Sequence, residues 1–468
     1  MEISTKTRNS IFYILLFNSI VASLAQTVLN TALAPIMVDM NITAGTAQWL
    51  ISSFSLVMGI MVLATAFLIK KFSCRILYIS SVILFCTGLL LAATAQNFTM
   101  LLIGRIFQAL STGILVSLTQ VMILTVFPAE ERGSKMGIFG LAASAAPVLA
   151  PTIAGIVIDN MGWRMIFWGA LALSLIISSV GFFVIKNITE NRKTKFDTFS
   201  FILCSLGFTC IIIGLGNWGS AYLSVINVFI PIIIGLISLF CFIYRQKKLP
   251  EPFLQLNIFK NREFKIAVIA NMILFCGTIA TSTLLPLYMQ SMRGFSATTS
   301  GLITMPGSLL TAFISPIAGK IYDKLGIRKL YLWGASIMMI GHILFSFLSA
   351  TTAIPILILI FSIRQLGIGL LLMPTITWGM STLEKQYVSD GTAIINSLRT
   401  IAGSLGTVLF VSIMTVASRG SEPAQMIYGV NIAFIGIASL KFLLLIIAIL
   451  FIGKEKPFVL SDTIINGK

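Results

Sequence analysis

Acid is scarce in this chain. Fifteen Asp and Glu stand against 32 Lys and Arg in 468 residues, and charged residues of both signs make up only 10%. Soluble domains carry about 25% charged residues, so the shortage excludes an ordinary soluble protein and a disordered one alike. Histidine is nearly absent too, with His342 alone. Cys74, Cys86, Cys204, Cys210, Cys241 and Cys276 have no metal-ligand spacing, and all but Cys74 sit inside apolar runs. A zinc site is therefore not expected. Nor does the chain offer a nucleophile–base pair or a phosphate-cradling glycine loop, so no catalytic residue and no cofactor is expected. The surplus of positive charge does not imply nucleic acid, because membrane proteins collect Lys and Arg on their cytoplasmic loops.

What fills the chain is hydrocarbon. Hydrophobic residues make up 57%, and mean hydropathy is +0.99. A spanning helix takes roughly 20 apolar residues. Runs of that kind lie at 11–37, 47–69, 76–95, 99–127, 136–158, 163–185, 199–217, 221–244, 265–292, 298–319, 329–349, 354–380, 388–417 and 428–452, which predicts fourteen transmembrane helices. The first run is too long for a signal-peptide core and is read as an uncleaved helix. Of the 32 basic residues, 25 fall in the two tails and the loops of one side, and three (Arg164, Arg293, Arg419) fall opposite. That bias predicts a cell membrane protein with both termini in the cytoplasm.

The two ends of the chain repeat one another. AFLIKKFSCRIL (66–77) closes the second run, and GKIYDKLGIRKL (319–330) closes the tenth. GRIFQALSTG (104–113) lies in the fourth run and IRQLGIGLLLMP (363–374) in the twelfth. The expected architecture is an all-α membrane protein with a six-helix bundle over 1–186, a linker with two inserted helices over 187–248, and a second bundle with a short tail over 249–468. Repeats of this kind place a site near the membrane midplane and open it to each side in turn. Polar residues along the first run, Ser19, Ser23, Gln26 and Asn30, share one helical face. That stripe serves either a ligand or hydrogen bonds between helices.

The residues Gly319-x-x-x-Asp323-Lys324-x-Gly326-x-Arg328-Lys329 resemble the cytoplasmic-loop motif of the major facilitator superfamily. Ile103-Gly104-Arg105-x-x-Gln108 resembles its helix-4 motif, and Ala150-Pro151 with Ala154-Gly155 its helix-5 antiporter motif. Glu251-Pro252-Phe253-Leu254 and Asn396-Ser397-Leu398-Arg399 are similar to segments of the branch with fourteen helices, the drug:proton antiporters. The first-half loop motif has decayed, with Ala66, Lys70 and Ser73 where the family has glycine, aspartate and glycine. Ala25 replaces the family's helix-1 aspartate. The resemblance implies an exporter of small amphipathic molecules that works by alternating access, with protons as candidate counter-ions. A monomer in the lipid bilayer is expected, with no nucleic-acid partner.

The resemblance also assigns roles. Ser23, Gln26, Asn30, Gln108, Thr112, Asn271, Ser282, Arg364 and Thr375 are expected at the substrate cavity. Arg105, Pro151, Gly319, Asp323, Gly326, Arg328 and Arg399 are expected in gating and coupling. All fifteen carboxylates lie in tails, loops or helix ends, which leaves Asp39 and Asp159 as candidate proton carriers. Without a central acid, a transporter of anionic or lipid-like substrates and a non-transporting sensor built on the same fold remain as alternative readings. Lys441 is expected to snorkel or to cover a packing surface, and His342 to be a packed polar residue.

Overall fold

The computed structural model describes residues 5–185, 197–218, 225–249, 252, 254–384, 387–418, 420 and 422–453; some helical side chains, Ala66, Lys70 and those of 141–148 among them, lie outside the described set. The first bundle consists of α1 (Thr5–Asp39), the short α2 (Ala44–Ala47), α3 (Trp49–Lys71), α4 (Cys74–Ala93), α5 (Phe98–Val126), α6 (Ala129–Met161) and α7 (Arg164–Val184). The inserted pair is α8 (Thr198–Asn217) and α9 (Val225–Lys248). The second bundle holds α10 (Arg262–Leu287), α11 (Ala297–Leu325), α12 (Ile327–Phe345), α13 (Ile354–Ser381), α14 (Val388–Ala417) and α15 (Pro423–Leu450). Twelve of these helices are long and apolar enough to cross a membrane, and α6 and α12 complete the fourteen.

Helix starts follow capping chemistry. Ser73, Asn97, Asn261 and Ser296 accept a backbone N–H from three residues on, at the first turns of α4, α5, α10 and α11. Each such cap contributes about 1 kcal/mol. Ser73, which stands where the family has glycine, thus has a local task. Several boundaries differ from expectation by five residues or more, and two of them have a local cause. The sixth element, α6, starts at Ala129 rather than 136, because Pro128 sits at its N-cap and Glu130 and Glu131 suit a helix N-terminus. The loop motif does not form a turn until Gly326: α11 continues through Gly319 and Asp323 to Leu325. Gly326, with φ at 75°, is the left-handed residue that lets the chain reverse into α12.

Core composition shows how the halves meet. One large buried cluster combines Ala150, Ala154 and Ile158 of the first half with Leu284, Tyr288 and Ala297 of the second, at the end away from the termini. Toward the termini the cores are separate. Phe12, Leu77, Tyr78 and Leu118 pack within the first half, and Ala267, Tyr331, Leu371 and Leu444 within the second. The bundles are therefore closed against each other at one end, and each keeps its own core at the other. The α8–α9 hairpin packs beside the α3–α14 seam, with Ile212 against Leu56, Ile60, Ile401 and Val408.

The hairpin is tied at its base. Arg245 of α9 donates to both oxygens of Asp197, at 3.0 and 3.3 Å, and Ser200 donates to the same carboxylate. Burial opposes the charged form of Asp197, but the hydrogen bonds from Arg245 and Ser200 outweigh it and hold the carboxyl below its usual range. A carboxyl depressed in the folded state adds stability above its unfolded pKa of about 3.9, and that stability is lost as pH falls through the folded value. Arg245→Gln is expected to lower the thermal midpoint in detergent by about 1–2 °C at pH 7. The gap should narrow below about pH 4. An equal gap at both pH values would show that the contact is steric rather than ionic.

Candidate functional site

The seam between α6 and α11 depends on small residues. A Cβ at Gly155 would lie 2.5 Å from the Ala297 carbonyl oxygen, and one at Gly301 would lie 2.6 Å from the Pro151 carbonyl oxygen. Only glycine allows that approach on both sides, and Ala150 and Ala154 are buried beside it. Thr152 donates to the Gly301 carbonyl at 3.3 Å. Pro151, expected in gating, is half-buried in this seam.

Asp159 closes the end of the same seam. Its carboxylate accepts the backbone N–H of Ala297 at 3.1 Å and of Thr298 at 2.8 Å. Ser296 takes the Thr299 N–H at 3.1 Å. The first three N–H groups of α11 are thus satisfied, two of them from the opposite half. A negative charge at a helix N-terminus also opposes the positive end of the macrodipole. Other bonds across the halves are Gln290 to the Thr31 carbonyl at 3.0 Å, Ser404 to the Ser52 carbonyl at 2.7 Å, and Ser397 to the Gly59 carbonyl. Asp39, the other candidate carrier, accepts from Arg164 at 2.8 Å and from Trp163 at 3.3 Å. Arg164 also donates to the Ala95 carbonyl, so this cluster stitches the first bundle together.

The two motif arginines occupy equivalent places in the two halves. Arg105 of α5, 1% exposed, donates to the carbonyl of Ala25 on α1 at 3.0 Å and to Gln108 at 2.8 Å. Its guanidinium stacks 4.2 Å from the Phe54 ring. Arg364 of α13, also 1% exposed, donates to the carbonyl of Thr278 on α10 at 3.0 Å and to Gln365 at 3.1 Å. Each arginine ties the fourth helix of its half to the first. Ala25, at the family's aspartate position, is 4% exposed and is therefore packed rather than open to a cleft.

The cavity expectations divide into two sets. Ser23, Gln26, Asn30 and Ser282 are half-buried. Gln108, Thr112, Asn271 and Thr375 are buried inside their own bundles. Gln108 donates to the Gly88 carbonyl, and Thr112 donates to the Gln108 carbonyl. The Thr375 hydroxyl accepts from Tyr331 at 2.7 Å between α12 and α13. Among the gating residues, Asp323 is exposed in the last turn of α11, and no side chain caps α12. Arg328 donates to the Ile449 carbonyl, and Arg399 lies 4.7 Å from the Phe275 ring. A Cβ at Gly319 would meet nothing within 4 Å, so close packing does not explain that glycine in this conformation.

The Major Facilitator Superfamily model matches residues 15–407, and the chain belongs to that family of membrane transporters. It is 38% identical to YcnB of Bacillus subtilis (strain 168), an uncharacterized MFS-type transporter, with 92% of each chain covered. It is 34% identical to the lincomycin resistance protein LmrB of the same organism, over 86% of this chain and 85% of that one. In fold it is similar to a POT family transporter solved with a thioalcohol-conjugated peptide, with a TM-score of 0.71 over 94% of this chain and 95% of that one, at 15% identity.

If the Asp159 cap holds the seam shut, removing it opens the covered α6 face. A cysteine introduced at Thr152 is expected to react with a water-soluble maleimide roughly tenfold faster in Asp159→Ala, the equivalent of losing a cap of about 1.4 kcal/mol. Unchanged reactivity would assign closure to the glycine packing alone.

Proposed function

We propose that this protein is a secondary active exporter of amphipathic small molecules, moving them by alternating access between its two bundles. The observation that carries the reading is the seam itself. At one end the halves share an apolar cluster and a close backbone approach, with a few hydrogen bonds and a reversible cap from Asp159 on α11. Such a seam can part without breaking either bundle's core. The 25-to-3 charge bias supports cytoplasmic termini in a cell membrane. In that orientation the conformation described here is closed outward, the state in which an exporter loads its cargo. The resistance function named for LmrB supports a drug-like substrate class.

The electrostatics favour neutral or anionic amphiphiles over monocations. Arg105, Arg364 and Lys441 are buried within the bundles, whereas every carboxylate lies in a tail, a loop or a helix end. Proton coupling would then fall to Asp159 or Asp39, since arginine stays protonated in practice. The protein is expected to work as a monomer in the bilayer.

Two measurements test this reading. Single cysteines at Thr351 and Lys247, both exposed, report sidedness. In whole cells an impermeant reagent should label position 351, and it should label 247 only after permeabilisation. Labelling of 247 in intact cells would reverse the orientation. In liposomes, a panel of lincomycin, neutral amphiphiles, organic anions and monocations should show accumulation of at least one neutral or anionic member. Any acceleration by an imposed proton gradient should fall about tenfold or more in the Asp39→Asn, Asp159→Asn double variant. Robust gradient-driven movement of a monocation in that variant would overturn the coupling assignment.

A further inference from the structure

Three basic side chains from three helices converge on one stretch of α10. Lys441 of α15 donates through Nζ to the carbonyls of Ile273 at 3.3 Å and Leu274 at 3.1 Å. Arg364 donates through Nη2 to the carbonyl of Thr278 at 3.0 Å. His342 of α12 places Nε2 3.2 Å from the Thr281 hydroxyl, which in turn donates to the Gly277 carbonyl at 2.8 Å. Leu274 and Thr278 are four residues apart on one face, so their carbonyl oxygens are separated by about 6 Å. The ammonium and the guanidinium are each within hydrogen-bond reach of one of these two neighbouring carbonyls.

Glycines make room for this arrangement. A Cβ at Gly277 would lie 2.7 Å from Lys441 Nζ, and one at Gly341 would lie 3.0 Å from the Cβ of Arg364. Burial is complete, with Lys441 and His342 at 0% and Arg364 at 1% exposure. Donors are left over: Arg364 Nε is buried without a partner. Asn271, on the same helical face as Leu274, has neither amide atom partnered and is 0% exposed. Among the described residues, the acids of the second half, Glu263, Asp323, Glu384, Asp390 and Glu422, lie in loops or helix ends. Two buried basic groups compensated by carbonyl dipoles and, for Arg364, by the Phe361 ring at 5.7 Å, with Arg364 Nε left over, form an unbalanced site, and an anion would balance it.

We infer that Arg364 and Lys441 form a binding site for one small monovalent anion inside the second bundle. The shared ligand chemistry is a compact acceptor, supplied either by free halide or by the carboxylate of a transported molecule. As a substrate subsite it rests on the transporter reading, but binding itself is measured without transport.

Thermal unfolding of the purified protein in detergent is the test, in a bulky sulfonate buffer at constant ionic strength. Chloride and benzoate are titrated separately. The wild type should show a saturable rise in midpoint with at least one of them. A response to chloride alone points to free halide, and a response to benzoate alone points to a substrate carboxylate. Lys441→Met should abolish the response, and Gly277→Ala, which crowds Nζ, should weaken the apparent affinity at least tenfold. No saturable response in the wild type overturns the site. A response equal for every anion, or one unchanged in Lys441→Met, also overturns it, because screening explains either result. Anion binding that persists in a protein inactive in liposomes would sink the transporter reading and leave the site standing.

Discussion

Hydrocarbon offers no hydrogen-bond partner, and the polar architecture of this protein follows from that constraint. A buried N–H left without a partner within the protein is costly. Arg105 and Arg364 spend theirs on carbonyls of α1 and α10 and on neighbouring glutamines. Lys441 reaches two carbonyls of α10 rather than the membrane surface. Helix carbonyls have a second lone pair free after the intrahelical bond, so they can accept these cations without breaking the ladder. The result is bracing that holds each bundle as a unit, which a rocking mechanism requires.

The repeat makes the divergence between the halves visible. In the first half Asn18 is fully used: it donates to Tyr78 and to the Ile14 carbonyl, and it accepts from Ser178. Asn18 lies seven residues before Ala25, and Asn271 lies seven before Thr278, the two carbonyls that accept the arginines. Asn271 nevertheless has no partner. Tyr331 of α12 bonds Thr375 instead, at 2.7 Å. Both bundles keep buried polar atoms without partners, Gln48 and Ser111 in the first among them, but at these matched positions Asn18 is satisfied while Asn271 and Arg364 Nε are not.

Helix number was legible because fourteen apolar runs have length and composition that only a membrane accommodates, and most boundaries agree with the runs to within a few residues. Gly155 and Pro151 were legible as interface residues because small side chains at fixed spacing have one main use in a bundle. The cap by Asp159 was not, since its partners are backbone groups 138 and 139 residues away that leave no mark on residue type. The placement of Asp323 was not legible either: a motif aspartate can be recognised from its neighbours, but its position in the last turn of α11 depends on where that helix stops. Lys441 was legible only as a lysine that snorkels or covers a packing surface, because one lysine in an apolar run carries no indication of which face it occupies.

The same economy decides how the seam can move. Within each bundle the braces join arginine to several acceptors at once, so loosening one helix would strand buried charge at a cost of several kcal/mol. Between the bundles a shared apolar cluster is accompanied by polar contacts that are single hydrogen bonds and a helix cap, each worth about 1 kcal/mol. On opening, Asp159 and the freed N–H groups of α11 face water at the membrane surface rather than hydrocarbon, and hydration offsets most of their loss. The break therefore falls between the halves and not within them. It is easiest at the end where Asp159 sits, because that is where water can replace what the seam gives up.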